Sequence, residues 1–356
     1  MKKFLLSTAL VGVAFAAAPA MAQVDVTVGG HTKNYIGWLS QDDAGADEER
    51  NFDMLRESEL HFNAEGTADN GLTYGFHVES EVDGVDSFAV EESYLYLASS
   101  LGRLNLGSED GAAYLLQVAA PSADANIDGL RQYINPINAG VLGLGALGEQ
   151  DYDQDAFDNQ DEKITYLSPN WSGFQFGLSY TPETIDDVGT GLGGFNTDDT
   201  EDNQGSAYSG ALRYEGTFNN VGFALGGGYT HVDIEDDVDG TTEDGAEWNL
   251  GADFDIGAFG VGAAYKNLDG TTEGDSDEVD TIVVGADYTT GPFQFGASYF
   301  NSDVDGGLET DRYTGGVVYT VTQGLTLRGS ISYADFDAAA ADADATSVLG
   351  GVQFNF

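Results

Sequence analysis

The chain ends on the stretch ATSVLGGVQFNF, residues 345–356, in which neighbouring residues alternate in character. Counted back from the end, one set holds Phe356, Phe354, Val352 and Val348, and the other set is mostly small or polar. Side chains of a β-strand point alternately to two faces, so this period indicates a strand with one apolar face. Such a strand fits either a soluble sheet, whose core would cover that face, or the wall of an outer-membrane barrel.

The first 22 residues have the pattern of a secretory signal peptide. Lys2 and Lys3 precede an apolar run from Phe4 to Ala18, and the small-x-small site Ala20-Met21-Ala22 follows. The run is shorter than the roughly 20 residues that a membrane-spanning helix needs, so a cleaved leader is favoured over an anchor. We predict a signal peptide at 1–22 and a single β-barrel domain at 23–356.

The composition is strongly acidic and lacks cysteine, with 61 Asp and Glu against 12 Lys and Arg and a net charge of −49. Loss of Lys2 and Lys3 with the leader would lower that charge to −51, because every acidic residue follows the leader. Such a chain repels nucleic acid and attracts cations, which excludes a nucleic-acid-binding protein. Without disulfides, an exported protein must draw its stability from an extensive hydrogen-bonded ladder.

Period-two alternation recurs along the chain, and we count sixteen strands. Short turns such as Asp69-Asn70-Gly71, a strong tight-turn signal, join them in pairs. Long acidic loops separate the pairs, so that seven short turns alternate with eight long loops, the last predicted at 335–344. Outer-membrane barrels sort their connections in this way, and soluble sandwiches have no reason to.

Aromatic residues recur six positions apart on the apolar phase of several strands, as in Phe174 with Tyr180 and Trp248 with Phe254. Because six is even, both members face the same way, as in the aromatic girdles at the two bilayer interfaces. The opposite phase carries glycine, hydroxyl groups and charge, which suits the water-filled lumen of a large barrel. These patterns predict an all-β fold, a transmembrane 16-stranded antiparallel β-barrel.

From residue 23 onward the chain resembles a Gram-negative general-diffusion porin of the alphaproteobacterial, trimeric type. The resemblance lies in Val28–His31 (VGGH), Ser58–Gly66 (SELHFNAEG), Asp69–Leu72 (DNGL) and Gly102–Gly107 (GRLNLG). Phe356 resembles the outer-membrane assembly signal of these proteins. The resemblance implies a passive channel and no enzyme, in a homotrimer. It also implies a location in the outer membrane, among lipid and lipopolysaccharide, after insertion by the β-barrel assembly machinery.

Residues 109–162 show no sustained period of either kind. A structureless connection of this length is unusual unless it is functional. The resemblance implies that this long third loop folds into the lumen and narrows it, with acids on the loop facing a basic cluster on the wall. The first candidates for these acids are Asp124 and Asp128, with Glu109 and Asp110 near the root of the loop.

The wall departs from the family pattern, because Glu59 and Glu92 stand where many relatives carry arginine. The basic residues of the inward phase could rebuild a basic wall elsewhere or neutralise acidic neighbours, and we favour the second interpretation. These residues are His31, Lys33, Arg103, Lys163, Arg213, Lys266, Arg312 and Arg328. We therefore expect a strongly cation-selective pore.

Two other functions are compatible with a barrel of this kind. A solute-specific channel would need a line of aromatic or basic residues along the lumen, and the sequence shows none. A non-conducting acidic surface protein, for example one that binds calcium, would need neither a polar interior nor an inserted loop. No Ser/His/Asp set indicates an enzyme.

Metal binding is open at the acidic loops and not expected at the histidines. Clustered carboxylates suit Ca²⁺ or other hard divalent cations that could bridge loops or lipopolysaccharide, although no loop has a full EF-hand spacing. The alternative is a solvated acidic surface. The four histidines, His31, His61, His77 and His231, show no metal-ligand spacing, and we interpret them as wall or surface residues. No other cofactor is expected.

Overall fold

The computed structural model is a closed antiparallel barrel of sixteen strands, each paired with its sequence neighbours, with the first strand closing on the last. This confirms the predicted strand number and topology. The structure describes residues 24–43, 50–82, 88–122, 134–144, 146–148, 150–184, 202–235, 238, 240–272, 278–338 and 341–356. The predicted leader at 1–22 therefore lies outside the described residues.

Most of the strands are long. They are β1 (Asp25–Gln41), β2 (Phe52–Thr67), β3 (Thr73–Glu81), β4 (Ala89–Ser99), β5 (Gly102–Ser108), β6 (Glu162–Leu167), β7 (Phe174–Thr181), β8 (Gln204–Phe218), β9 (Val221–Ile234), β10 (Gly245–Ile256), β11 (Phe259–Asp269), β12 (Val279–Thr290), β13 (Phe293–Val304), β14 (Leu308–Thr322), β15 (Leu325–Ala338) and β16 (Ala341–Asn355). Two helical turns, α1 (Ala112–Leu115) and α2 (Ala139–Leu142), lie between β5 and β6. No helix among the described residues is long and apolar enough to cross a membrane.

The outward face of the barrel is apolar and uncovered. Leu178, Leu212 and Leu250 are each more than half exposed, whereas soluble monomers rarely expose a contiguous apolar surface of this extent. Aromatic rings pair across strands at two levels of this face. They meet near the short turns, as in Phe259 with Tyr288 at 4.7 Å between ring centroids, and near the long loops, as in Tyr299 with Tyr313 at 5.0 Å.

Two connections at the long-loop end are tighter than the sequence predicts. Only residues 305–307 join β13 to β14, and in the last hairpin Asp335 lies opposite Asp344 and Asp337 opposite Asp342. The predicted acidic loop at 335–344 is therefore wrong, and long and short connections do not alternate strictly.

Packing on the inner face explains the extension of this last hairpin. Phe336 and Ala343 are buried in one cluster with Leu142 and Leu144, which belong to the connection between β5 and β6. The aspartates of the hairpin alternate with these residues and are exposed. A hairpin with one packed face continues as paired strands even when its other face is highly charged.

Residues 109–161 join β5 to β6 and are called the connection below. The core of the molecule lies between the barrel wall and this connection. The described apolar clusters join the two. Tyr152 packs with Val283 and Phe300, Ile134 with Tyr35 and Leu349, and Phe157 with Ala207 and Val232. The connection therefore contacts the inner face at several separate strands.

Candidate functional site

Lys163 on β6 holds both ends of the connection. Its Nζ donates to the main-chain carbonyls of Glu109, Asn159 and Asp161, and lies 3.4 Å from Asp158 Oδ1. The lysine is buried, as is its acidic partner. An amine buried this deeply needs several acceptors, and the connection supplies them.

Lys266 on β11 makes a second anchor. Its Nζ donates to the carbonyl of Asp153 at 2.5 Å and lies 3.4 Å from Glu247 Oε1 on β10. Glu247 in turn accepts a hydrogen bond from the main-chain N–H of Ala156 at 3.2 Å. Gln154 completes this contact by donating to the carbonyl of Glu247 at 3.0 Å.

Two arginines anchor the connection in the same way. Arg213 Nη1 donates to the carbonyl of Gln117 at 2.8 Å, while its Nε donates to Glu215 at 2.7 Å. Arg312 donates to the carbonyl of Gln150 and stacks over a phenylalanine ring. Four of the predicted wall cations thus bind the connection, a role that sequence reasoning did not assign.

The other predicted wall cations have different partners. Arg103 donates to Asn105 at 2.6 Å and lies over the ring of Tyr96, and Arg328 donates to Thr326 at 3.1 Å. Lys33 is buried, with its Nζ 3.3 Å from Glu57. The inward cations therefore do not form one basic cluster in the part of the chain that the structure describes.

The acids at the root of the connection are buried. Glu109 and Asp110 are only 3% and 4% exposed, and Glu109 accepts from Asn105 Nδ2 at 2.7 Å. Burial raises the pKa of the Glu109 carboxyl, against the opposing effects of that hydrogen bond and of nearby cations. Burial likewise raises the pKa of Asp158, although the Lys163 ammonium opposes it. Asp124 and Asp128 lie outside the described residues.

The wall of β1 to β4 carries a row in which imidazoles and carboxylates alternate. His61 Nε2 lies 3.1 Å from Glu59 and 3.3 Å from Glu79. His77 Nε2 lies 3.5 Å from Glu79 and 3.6 Å from Glu92. Each of these side chains is partly exposed, so the row faces open space at the inner wall.

The row continues onto β1. His31 Nε2 lies 2.8 Å from Glu57, and His31 Nδ1 lies 3.5 Å from Glu59. His31, Glu59 and Glu92 are predicted wall residues, and the structure brings all three into this row. Glu79 and the part played by the other histidines are not predicted from the sequence.

Hairpin register supplies the missing signal. The turn between β2 and β3 places His61 opposite Glu79 and Asn63 opposite His77. With the turn at 69–71 identified, that pairing follows from counting outward along both strands. Spacing along the sequence alone does not show it, because the partners belong to different strands.

Comparison with known proteins agrees with this architecture. The profile of the Gram-negative porin family matches residues 7–351. Among solved structures, the anion-selective porin from Comamonas acidovorans is 18% identical, with a TM-score of 0.66 over 94% of this chain and 100% of that chain. A loop L8 deletion mutant of OmpT from Vibrio cholerae is 16% identical, with a TM-score of 0.60 over 94% of this chain and 99% of that one.

A mutant of the Rh. blastica porin is 18% identical, with a TM-score of 0.57 over 93% of this chain and 100% of that chain. No curated protein sequence matches the chain. At such identities the solved structures show the fold alone, but the family profile covers nearly the whole chain. The chain therefore belongs to the family of Gram-negative porins, which are outer-membrane diffusion channels and not enzymes.

Proposed function

We propose that this porin is a cation-selective, water-filled channel for ions and small hydrophilic solutes. The observation that carries the proposal is that four inward cations bind the connection, while inward carboxylates are partly exposed. Lys163, Arg213, Lys266 and Arg312 donate to carbonyls of the connection, whereas Glu59 and Glu79 are partly exposed on the wall. Fixed negative charge along a narrow pore concentrates cations and repels anions.

The selectivity of a porin depends on its side chains and not on the barrel. A structural neighbour of this chain is named as an anion-selective porin, although it shares the fold. In this chain, Glu59 and Glu92 stand at positions that carry arginine in many relatives. The proposed cation preference therefore rests on these side chains and not on the shared fold.

We assign the constriction to the connection. On one side of residues 123–133, the carbonyl of Ser122 accepts from Gln294 on β13 at 3.4 Å. On the other side, Ile134 packs with Tyr35 of β1 and Leu349 of β16. Flanks held at separate strands support a connection that crosses the lumen. Asp124 and Asp128, which lie between these flanks, stay the proposed constriction acids.

Assembly and location at a finer level are also proposals from the family. They comprise a leader cleaved after Ala22, a homotrimer, contact with lipopolysaccharide and insertion by the β-barrel assembly machinery. Phe356 suits the role of assembly signal, because its N–H and carbonyl exchange hydrogen bonds of 3.1 Å with Gly30 of β1. The last residue thereby takes part in closing the barrel.

The test is the reversal potential of the purified protein in a planar bilayer across a potassium chloride gradient. We expect a cation-favouring potential, reduced in the double variant Glu59→Gln/Glu79→Gln. A matched control, Asp335→Asn/Asp342→Asn, removes two exposed charges from the last hairpin and should change the potential less. An anion-favouring potential in the wild type would contradict cation selectivity. Absence of conductance from folded protein would favour a non-conducting surface protein.

A further inference from the structure

Three of the four histidines share one inward face, on β1, β2 and β3, and each contacts a carboxylate. We propose that His61, His77 and Glu79 bind one divalent transition-metal ion of the Zn²⁺ class on the inner wall of the barrel. Metal binding goes beyond passive diffusion, and the geometry of the three side chains carries it independently of the channel function.

The distances between the ligand atoms fit a tetrahedral ion. His61 Nε2 and His77 Nε2 lie 3.3 and 3.5 Å from the same oxygen, Oε2 of Glu79. The ligand atoms of all three residues lie within 4.8 Å of one another. Zinc bonds to nitrogen and oxygen of about 2.0–2.1 Å place two ligands of a tetrahedron about 3.3–3.4 Å apart. An ion can therefore enter with only small side-chain movements.

The hydrogen bond of His77 directs a lone pair into the site. Its Nδ1 lies 2.7 Å from Asn63 Oδ1, an oxygen that can only accept, so the proton of a neutral ring sits on Nδ1. The unprotonated Nε2 then faces the carboxylates of Glu79 and Glu92 at 3.5 and 3.6 Å. A cation between Nε2 and these oxygens, either a proton or a metal ion, makes the arrangement favourable, so a metal ion can take the place of the proton. Metal-binding histidines are commonly oriented by such an outer hydrogen bond.

A second set of ligands lies next to the first. His31, Glu59 and His61 also bring their ligand atoms within 4.8 Å, and His31 Nε2 is held by Glu57 at 2.8 Å. Both sets use Nε2 of His61, which binds a single ion at a time. We therefore expect the row to hold one ion, able to shift along it. Imidazole ligands favour Zn²⁺ and its neighbours over Ca²⁺ or Mg²⁺, which prefer oxygen.

Calorimetric titration of the purified, folded protein with Zn²⁺ tests the site. We expect the row to bind one ion in the wild type and none in His61→Ala, which removes the shared ligand. Asn63→Ala should weaken the affinity by about 10- to 100-fold, the usual effect of losing an outer partner. His231→Ala is the control for a rival site, because His231 with Asp233 and Asp244 forms a separate and more exposed cluster of possible ligands.

Three results of the titration would overturn the proposal. One is a His61→Ala variant that is folded, by its heat-modifiable migration, and binds Zn²⁺ as the wild type does. Another is loss of binding in His231→Ala without any loss in His61→Ala. The third is displacement of Zn²⁺ by Ca²⁺ at the same concentration, which would indicate an acidic cluster without a role for imidazole.

A conductance measurement locates the ion relative to the pore. Zn²⁺ on the wall should lower the potassium conductance of the wild type and leave that of His61→Ala unchanged. This second readout rests on the proposed channel function, whereas the titration does not. Stoichiometric Zn²⁺ binding without any change in conductance would therefore overturn the location in the ion path while the binding site stands.

Discussion

Charged residues on the inner wall divide into two groups by their partners. Lys163, Lys266 and Arg312 are almost completely buried and donate to carbonyls of the connection. The imidazoles and carboxylates of β1 to β4 are partly exposed and contact one another. A buried charge is tolerated only with partners, so the first group has a structural task. The second group keeps access to the lumen.

Replacing Lys266 by methionine should destabilise the protein. The change keeps most of the side-chain volume but leaves the fully buried Glu247 without the ammonium that lies 3.4 Å away. Breaking a buried ion pair in this way costs about 3–5 kcal/mol. Urea-induced unfolding in lipid vesicles measures the loss. The double variant Lys266→Met/Glu247→Gln should recover part of it, and Arg328→Met, at a partly exposed site, should cost less than about 1 kcal/mol. Equal losses in Lys266→Met and Arg328→Met would refute the anchoring role.

The buried acids of the connection should make its packing against the inner wall more stable at acidic pH. Burial raises the pKa values of Glu109 and Asp158, so the folded arrangement favours their protonated forms. That contribution is present at low pH and is lost as pH rises from the ordinary carboxyl range through the raised values. Hydrogen-exchange protection factors for residues 150–162 should therefore be higher at pH 5 than at pH 7.5.

Asp158→Asn tests the source of this pH dependence, because an amide does not titrate. The difference in protection between the two pH values should shrink in this variant and persist in Asp335→Asn, which changes an exposed side chain on the last hairpin. Higher protection at pH 7.5 than at pH 5 in the wild type would give the opposite sign and reject the burial argument.

Residue roles were only partly predictable from the sequence. Resemblance to the family predicts Glu59 and Glu92 as wall residues, and the structure places both in the row of imidazoles and carboxylates. Alternation along a strand shows which face a cation lies on, but not whether it contacts water or a main-chain carbonyl. The sequence predicts Lys266 as a pore-lining residue. In the structure it donates to the carbonyl of Asp153, a contact that depends on the path of the connection.

At the scale of elements, the connection and the wall are matched in shape. Gly251 on β10 and Gly285 on β12 lie where a Cβ atom would meet the main-chain oxygens of Val118 and Pro121. Missing side chains at these positions let the backbone of the connection approach the strands closely. Hydroxyls assist, because Ser179 and Ser209 accept from the first N–H groups of α1 at 2.8 and 3.0 Å.

Substituting Gly251 with valine should push the connection away from the wall. The new side chain would overlap the carbonyl of Val118, and overpacking of this kind typically costs about 1–3 kcal/mol. A displaced constriction should change the single-channel conductance and expose residues 112–122 to protease. Gly350→Val is the control, because nothing lies within 4 Å of its Cβ position. An unchanged conductance in folded Gly251→Val would show that this contact does not set the pore.

Strands with one face toward lipid could be predicted from the sequence. The last hairpin could not, because one of its faces packs on protein and the other carries exposed aspartates. The sequence shows all sixteen strands, yet the segment Asp335-Phe336-Asp337 reads as an acidic loop. Its alternation is that of a strand, and the packing of Phe336 against Leu142 reveals why. The helical turn α2 is too short to show a period, although Asn138 caps its start and Gly143, with φ of 75°, ends it.

At the scale of the whole molecule, the barrel has its apolar residues on the outside and charged residues inside, the reverse of a soluble protein. Its outer face exposes large apolar residues such as Leu212 and Leu250, while buried Lys266 and Glu247 lie inside. Only a lipid surround makes the outer face favourable, and only closure removes the unpaired edges that lipid would not tolerate. This inversion is readable from the sequence, because the period of two separates the faces. The path of the connection is not, because it depends on contacts between distant residues.

Arginine in the apolar belt should cost stability according to its depth in the membrane. Leu212 on β8 is 56% exposed between the aromatic residues Tyr208 and Tyr214, which places it within the belt. Leu101 is 78% exposed but lies in the short turn between β4 and β5. Leu212→Arg should lose about 2–4 kcal/mol in urea unfolding from lipid vesicles, and Leu101→Arg about 0–1 kcal/mol. The difference reflects the transfer of a charge to hydrocarbon in one case and to the interface in the other. Equal costs would mean that the two aromatic levels do not mark the membrane boundaries.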